Sequence, residues 1–347
     1  MTPARWSQRI LGQAPRLLIA AAGLLLIIYL LPSWRGAGPE RRAHVAMGTV
    51  VTVKLYGDPE TTRNAMESGT AEIDRIESIM SHYSGTSELA RVESLAAISD
   101  AVCSPELAQV IRRSQELSRS SDGAFDITIG AYSRLWNFAD GPAVPNPVAL
   151  KSARERVDYR LVQLDGNSLR LHKPGVRLDL GAAAKGYAVD RATTTFQRLG
   201  VACGLIEAGG DIRYWGRKPD GSPWRFGIQH PRLPDAIIEV EDIGLSALAT
   251  SGDYEQHFES EGQRFHHILD PQTGYPARLS ISATVWAESA MDADILATAA
   301  FVMGPVDAIT WIESLPRTEA LIFFDRDGAL DHRATSGVAG RIHFAQP

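Results

Sequence analysis

Cysteine is nearly absent from this 347-residue chain: Cys103 and Cys203 stand far apart and in no CxxC or other metal-ligand spacing. That argues against a disulfide framework and a cysteine-based zinc centre, and leaves only a single Cys103–Cys203 bridge as an open pairing. Long runs of lysine and arginine are missing too, and the formal net charge is −6, so nothing resembles a nucleic-acid surface. The standard fingerprints of nucleotide and hydrolase sites do not occur: no Walker loop, no GxGxxG after a strand, no HExxH, no GxSxG. There is no internal repeat, and no low-complexity segment beyond the N-terminal apolar run. What remains is a chain with 44% hydrophobic residues, long enough to bury a large core as one sizeable domain or two joined halves. An acidic protein that binds phosphates must concentrate its positive charge locally or recruit a metal.

Leu17 to Leu31 is an unbroken apolar run behind Arg5, Arg9 and Arg16, and it ends at Pro32. Its length lies between a long signal-peptide core and a short membrane-spanning helix, and Gly36-Ala37-Gly38 is an indifferent cleavage site, which favours an uncleaved anchor. Arginine counts on the two sides match, with Arg35, Arg41 and Arg42 beyond the run, so charge does not set the orientation. The expected organisation is a membrane anchor or signal segment at 1–32, a polar linker at 33–46 and a catalytic domain at 47–347.

Within that domain, Thr49–Tyr56 alternates as a strand does, and Pro59–Met80 has helical periodicity with an apolar stripe. Further helices are predicted at Pro105–Arg119, Ala183–Leu199, Met291–Met303 and Pro305–Ser314. Short strands, joined by turns such as Asp165-Gly166-Asn167, are predicted at 203–207, 211–217, 225–229, 244–250, 264–269, 282–288 and 320–324. The pattern is α+β.

The segment Leu178-Asp-Leu-Gly-Ala-Ala-Ala-Lys-Gly-Tyr-Ala-Val-Asp190 runs from an apolar strand through a small-residue turn into a helix carrying Lys185. A helix start offers backbone N–H groups and a positive dipole end to a phosphate, and Lys185 adds a mobile cation; small residues at such a turn also serve close packing. Asp294 and Thr298 lie four residues apart and share one helix face, presenting hard oxygen donors of the kind Mg²⁺ takes, whereas Asp292 lies on another face. Capping is the competing role for both aspartates. In Phe265-His-His-Ile-Leu-Asp270 a strand would send the two histidines to opposite sides, so at most one faces a given site. Histidine suits base chemistry near neutral pH. Glu207-Ala-Gly-Gly-Asp211 reads as a tight turn. Ser121-Asp-Gly-Ala-Phe-Asp126 combines an aromatic ring with accessible backbone, a platform for a planar ligand.

Taken in order, Met47-Gly-Thr, Ser87-Glu-Leu-Ala-Arg-Val, Asp122-Gly-Ala-Phe-Asp-Ile-Thr, the Leu178–Asp190 segment, Ala208-Gly-Gly-Asp, Thr250-Ser-Gly-Asp-Tyr, His266-His-Ile-Leu-Asp-Pro-Gln-Thr-Gly and Ala293-Asp-Ile-Leu-Ala-Thr-Ala resemble the ApbE family of FAD:protein FMN transferases. The resemblance runs from Met47 to the end. It implies a T-fold-like α+β architecture of mixed, largely antiparallel sheets packed with helices, here preceded by the hydrophobic anchor helix. It further implies FAD as substrate, Mg²⁺ as cofactor, and transfer of FMN to a threonine or serine hydroxyl of a flavoprotein subunit in a membrane redox complex, with AMP leaving. Carried over by position, Asp294, Thr298 and the Ala182 carbonyl resemble metal ligands. Met47, Tyr83, Ala124, Phe125, Asp126, Asp179, Lys185 and Ile268 resemble FAD contacts, and His267 and Lys185 the catalytic groups. By the same analogy the domain faces the periplasm from the bacterial inner membrane. Glu93 departs from the family, which often has asparagine there, and no lipid-anchor cysteine follows the apolar run. Two alternatives share these motifs: an Mg²⁺-dependent pyrophosphatase that splits FAD to FMN and AMP, and a non-catalytic periplasmic FAD-binding protein.

Overall fold

The computed structural model describes residues 39–138, 141–233 and 235–344. The expected anchor and the first part of the expected linker lie outside the described residues. Among the described residues no helix is long and apolar enough to cross a membrane.

Eight strands form one antiparallel sheet: β1 Glu40–Ala46, β2 Thr49–Tyr56, β3 Cys203–Ala208, β4 Asp211–Trp215, β5 Ala247–Gly252, β6 Ser282–Ala287, β7 Glu319–Arg326 and β8 Ala329–Ala334. Their order across the sheet is their order along the chain. Alternation assigns the faces. Val51, Val53 and Leu55 of β2, Ala249 of β5 and Val285 of β6 point into one core, while Leu248 and Trp286 point into another on the opposite side. Full burial of each such aliphatic side chain stabilises the fold by roughly 1.5–3 kcal/mol relative to exposure.

The first face is covered by α1 Pro59–Met80, α2 Pro105–Ser120, α3 Gly181–Arg198 and α4 Ala290–Met303. Their starts follow capping chemistry: Asp58 accepts from the Thr61 N–H ahead of Pro59, Ser104 from Leu107, and Ser289 from Asp292. Two glycines let helices touch. A Cβ at Gly69 of α1 would stand 2.1 Å from the Phe196 ring of α3, and one at Gly186 of α3 would stand 2.3 Å from the Ala290 carbonyl oxygen at the start of α4. The second face carries a small sheet of Arg225–Gln229, Ile237–Glu241 and Ile342–Phe344, packed through Phe226, Ile238 and Val240. The result is the expected mixture of helices and antiparallel sheets.

Some elements differ from their sequence reading. Residues 40–46, expected in the linker, form β1, which pairs with β2 along its whole length. The strand is hard to see because it is an edge: most of Glu40–Ala46 is exposed, so charged residues occupy positions that an inner strand would fill with apolar ones. A helix at Glu88–Ala96 escaped notice for its shortness. The strand expected through Leu269 ends at His266, where Gln263–His266 pairs with His257–Ser260.

Candidate functional site

Two hairpin tips lie side by side at one end of the large sheet. Met47-Gly48 joins β1 to β2 with φ of 53° and 73°, and Gly209-Gly210 joins β3 to β4 with φ of 57° and 93°. Two consecutive positive-φ residues between paired strands make a type I′ turn, whose twist suits a hairpin. Met47 holds that geometry without glycine's freedom, at a cost of roughly 1–2 kcal/mol. A Cβ at Gly209 would stand 2.8 Å from Thr49 Oγ1, and one at Gly210 would stand 3.5 Å from the Thr250 carbonyl, so the end of β5 joins the same cluster. Asp211, the first residue after the second turn, is thereby fixed at the sheet end and 1% exposed.

The close crossing at Gly186 brings α4 against α3 and sets Asp294 beside Lys185. The Lys185 ammonium donates to both Asp294 oxygens at 3.2 Å and to the Gly181 carbonyl at 3.3 Å, and it lies 3.1 Å from Asp211 Oδ2. Burial works against the lysine's charge, but Asp211 and Asp294 outweigh it and raise its pKa. Burial and the neighbouring Asp294 push the Asp211 carboxyl well above its ordinary value, against the pull of Lys185. Two buried carboxylates facing one ammonium leave an excess negative charge, which is costly in the interior unless a proton or a cation joins them.

Oxygen donors stand around this charge. Ala182 departs from helical geometry (φ −96°, ψ 24°) in the first turn of α3, which tilts its carbonyl away from the regular helical direction. The Gly186 N–H lies 3.4 Å from Asp294 Oδ2. Thr298 Oγ1 lies 3.2 Å from Ser251 Oγ at the end of β5. Hard oxygens beside an uncompensated negative charge fit Mg²⁺, which needs few protein ligands and keeps water and phosphate as the others. Among the described residues no three His, Cys, Asp or Glu side chains assemble into a metal cage. Asp292 is elsewhere, paired with Arg113 at 2.7 and 3.1 Å.

The two adjacent histidines part, but because the strand ends at His266 and the chain bends at His267, not through strand alternation. His266 is buried, its Nε2 donating to the Ala277 carbonyl at 2.8 Å and its ring edge-on to Phe301. His267 keeps solvent access, and its Nδ1 lies 3.3 Å from the Gln256 carbonyl. A carbonyl only accepts, so Nδ1 carries the proton and Nε2 keeps its lone pair. Partial desolvation by the surrounding protein, then the nearby His266, lowers the His267 pKa, which favours the neutral ring. Glu207 accepts from the Gly210 N–H at 2.9 Å, and burial raises its carboxyl to about 7.

At the start of α3 the expected anion cradle already holds an anion of the chain itself. Asp179 accepts from the Gly181 N–H and from Ser133 Oγ, both at 2.9 Å, and meets His82 Nδ1 at 3.1 Å. The Ala183 and Ala184 N–H groups bond back to the Leu180 carbonyl. A short strand-to-helix turn puts Asp179 within reach of its own helix end, so local positive charge falls to Lys185. Tyr83 is 70% exposed, its ring tilted against that of His82 with centroids 3.9 Å apart. The Phe125 ring, expected as a platform, is instead buried in the core at 4% exposure, which leaves its backbone and that of Ala124 to meet a ligand. Asp126 is buried and accepts from the Thr128 N–H and hydroxyl at 2.8 and 2.6 Å. Ile268 is buried, and its carbonyl accepts from Ala277.

The structure thus gathers Lys185, Asp294, Thr298, Ala182 and Asp211 at one place. Asp211 and Ser251 were not singled out from sequence, since each sits in a segment that reads as a turn or strand end. Glu93, the departure from the family pattern, is a buried anchor: it takes the Leu178 N–H at 2.6 Å and the Arg177 guanidinium at 2.7 Å. A recess of about 380 Å³ beside α3 contains neither Lys185 nor Asp294, and its Arg113, Arg191 and Arg213 are engaged by Asp292, Glu72 and Asp190.

Residues 47–322 match the ApbE family. The FAD:protein FMN transferase of Treponema pallidum is 32% identical over 324 residues, which cover 87% of this chain and 88% of that protein. The one from Vibrio cholerae is 32% identical over 334 residues, covering 92% and 97%. Among solved structures, the ApbE protein of Thermotoga maritima aligns with a TM-score of 0.77 at 33% identity, covering 84% of this chain and 96% of that one.

Proposed function

The chain belongs to the ApbE family, and on that premise we propose that it is an FAD:protein FMN transferase, moving FMN from FAD to a threonine or serine hydroxyl of an acceptor flavoprotein and releasing AMP. The observation that carries the site assignment is Lys185 shared between two buried carboxylates, Asp211 and Asp294, with oxygen donors around them. Bound by Asp294, Thr298 and the Ala182 carbonyl, Mg²⁺ would supply neutralisation and alignment of the diphosphate. Lys185 adds the second positive charge that phosphoryl transfer requires, where positioning and electrostatics matter more than covalent chemistry by the protein.

His267 is the base in this reading. The acceptor oxygen forms a bond to the FMN phosphorus while the bond from that phosphorus to the bridging oxygen breaks, its electron pair leaving with AMP. The hydroxyl proton passes to Nε2 of His267, the nitrogen left bare by the Gln256 carbonyl. A neutral ring with a free Nε2 lone pair can accept that proton, and the arrival of an anionic diphosphate raises its proton affinity. Met47, Tyr83, Ala124, Phe125, Asp126, Asp179 and Ile268 are assigned to holding FAD. The apolar run at 17–31 supports a tether to the inner membrane, with the domain in the periplasm and its acceptor in a membrane redox complex.

The test is incubation of the purified chain with FAD, Mg²⁺ and a candidate acceptor domain, followed by intact-mass analysis of the acceptor and assay of AMP. An FMN-sized mass gain that a chelator abolishes supports the transferase. Free FMN and AMP with every acceptor unmodified means a pyrophosphatase, and intact bound FAD means a binding protein.

A further inference from the structure

We propose that Asp211 is a positioning residue for Lys185, holding its ammonium so that the Asp294 carboxylate is available to a divalent cation. The inference rests on the metal role proposed for Asp294.

The Lys185 ammonium sits 3.2 Å from both Asp294 oxygens, the electrostatic position that a cation bound there would need. A lysine so placed is an internal competitor of the metal. Its other carboxylate partner is Asp211, at the start of β4 in the large sheet, with Oδ2 3.1 Å away. The two partners differ in what fixes them. Asp294 lies on α4, whereas Asp211 opens β4 directly behind the Gly209-Gly210 turn, paired with Ala208 in the sheet and 1% exposed. A lysine stem has four rotatable carbons, while a residue locked in a hairpin register has little freedom. Lys185 therefore has a fixed point to retreat to when Asp294 changes partner. Without the Asp211 charge, Lys185 keeps Asp294 and the metal must displace it. Asp211 neighbours Asp294 as well as Lys185, and a Lys185→Met background separates its effect through the lysine from a direct one.

Binding of Mn²⁺ as the probe, followed by its paramagnetic resonance signal in the purified full chain without FAD, tests this. Asp211→Asn keeps shape and removes charge. It is expected to weaken Mn²⁺ binding about tenfold, within the range of coupling for contacting charged residues. In a Lys185→Met background the same change is expected to cost less than about threefold, because the competitor is gone. An unchanged affinity in Asp211→Asn overturns the proposal. So does an equal loss with and without Lys185, which would mean that Asp211 acts on the ion directly. Should Asp211→Asn alone fail to fold, Asp211→Asn/Lys185→Met compared with Lys185→Met decides: matching affinities support the proposal and a tenfold loss refutes it. Asp294→Ala is the separate control, and wild-type Mn²⁺ binding there would refute the metal role of Asp294 itself.

Discussion

Gly186→Ala adds one methyl group at the crossing of α3 and α4, and the structure sets the size of its effect. The new Cβ would stand 2.3 Å from the Ala290 carbonyl oxygen, 2.5 Å from its carbon and 2.7 Å from Met291 Cα, against an ordinary contact of 3.4 Å or more. All three atoms are backbone, so no rotamer change relieves them, and the helices must part by about 1 Å. Overpacking of this kind costs about 1–3 kcal/mol, while alanine returns about 1 kcal/mol of helix preference over glycine. The net loss is up to about 2 kcal/mol, a fall in Tm of a few °C at most in a chain of this size. The larger effect falls on chemistry. Lys185 precedes this glycine and reaches Asp294 across the same crossing, so a misplacement of about 1 Å at the site is expected to cut transfer by about 10²-fold. Thermal melting and AMP release with saturating FAD check both parts. Gly340→Ala, which meets open space, is the matched control. A Gly186→Ala protein that melts within about 1 °C of wild type and releases AMP at an undiminished rate would refute the reasoning.

His267→Ala is expected to lower FMN transfer by about 10²–10⁴-fold while FAD affinity, read by flavin fluorescence, stays within a few-fold; equal loss of both would remove the ring from the base role. Asp294→Ala is expected to end metal-dependent transfer with the fold retained, since it relieves a like-charge pair and leaves Lys185 matched to Asp211; circular dichroism and AMP release separate the two effects. Asp126 gives a pH signature. Burial, outweighing the Thr128 hydrogen bonds, raises its carboxyl to about 6 from 3.8. Between those values the folded chain binds more protons than the unfolded one, so this contribution is complete below the lower value and lost as pH rises through about 6. Asp126→Asn keeps an oxygen for the Thr128 donors, so its Tm relative to wild type should climb from pH 4.5 to pH 8, by the equivalent of about 1–3 kcal/mol. A pH-independent difference would contradict the assignment.

How far the sequence went is clearest at α1 and at Asp211. Asp58-Pro59 followed by an apolar stripe is a local signal, and α1 begins and ends where that signal places it. The shared face of Asp294 and Thr298 is likewise a local property of helical spacing, whereas His266 and His267 part because the strand stops at His266. Asp211 has no such signal. Its partners come from α3 and α4, and their meeting depends on the turn at Gly209-Gly210 and the contact at Gly186, which no period reveals. Phe125 fails for a related reason: aromatic character is visible in sequence, but the side on which the backbone turns it is set by long-range packing. The same holds for Asp179, whose carboxylate reaches back to the helix it precedes.

The start of β1 at Glu40 has a consequence for reach. If residues 17–31 sit in the bilayer as proposed, only residues 32–39 separate it from the first strand, and that stretch spans at most about 29 Å even when fully drawn out. Such a leash makes the encounter with an acceptor in the same membrane a local event, with an effective concentration fixed by geometry instead of by expression level. Acceptor sites held close to the bilayer would be modified readily, while those raised on tall domains would be out of range. Lengthening residues 32–39 should then widen the set of clients without altering the rate on a free acceptor in solution.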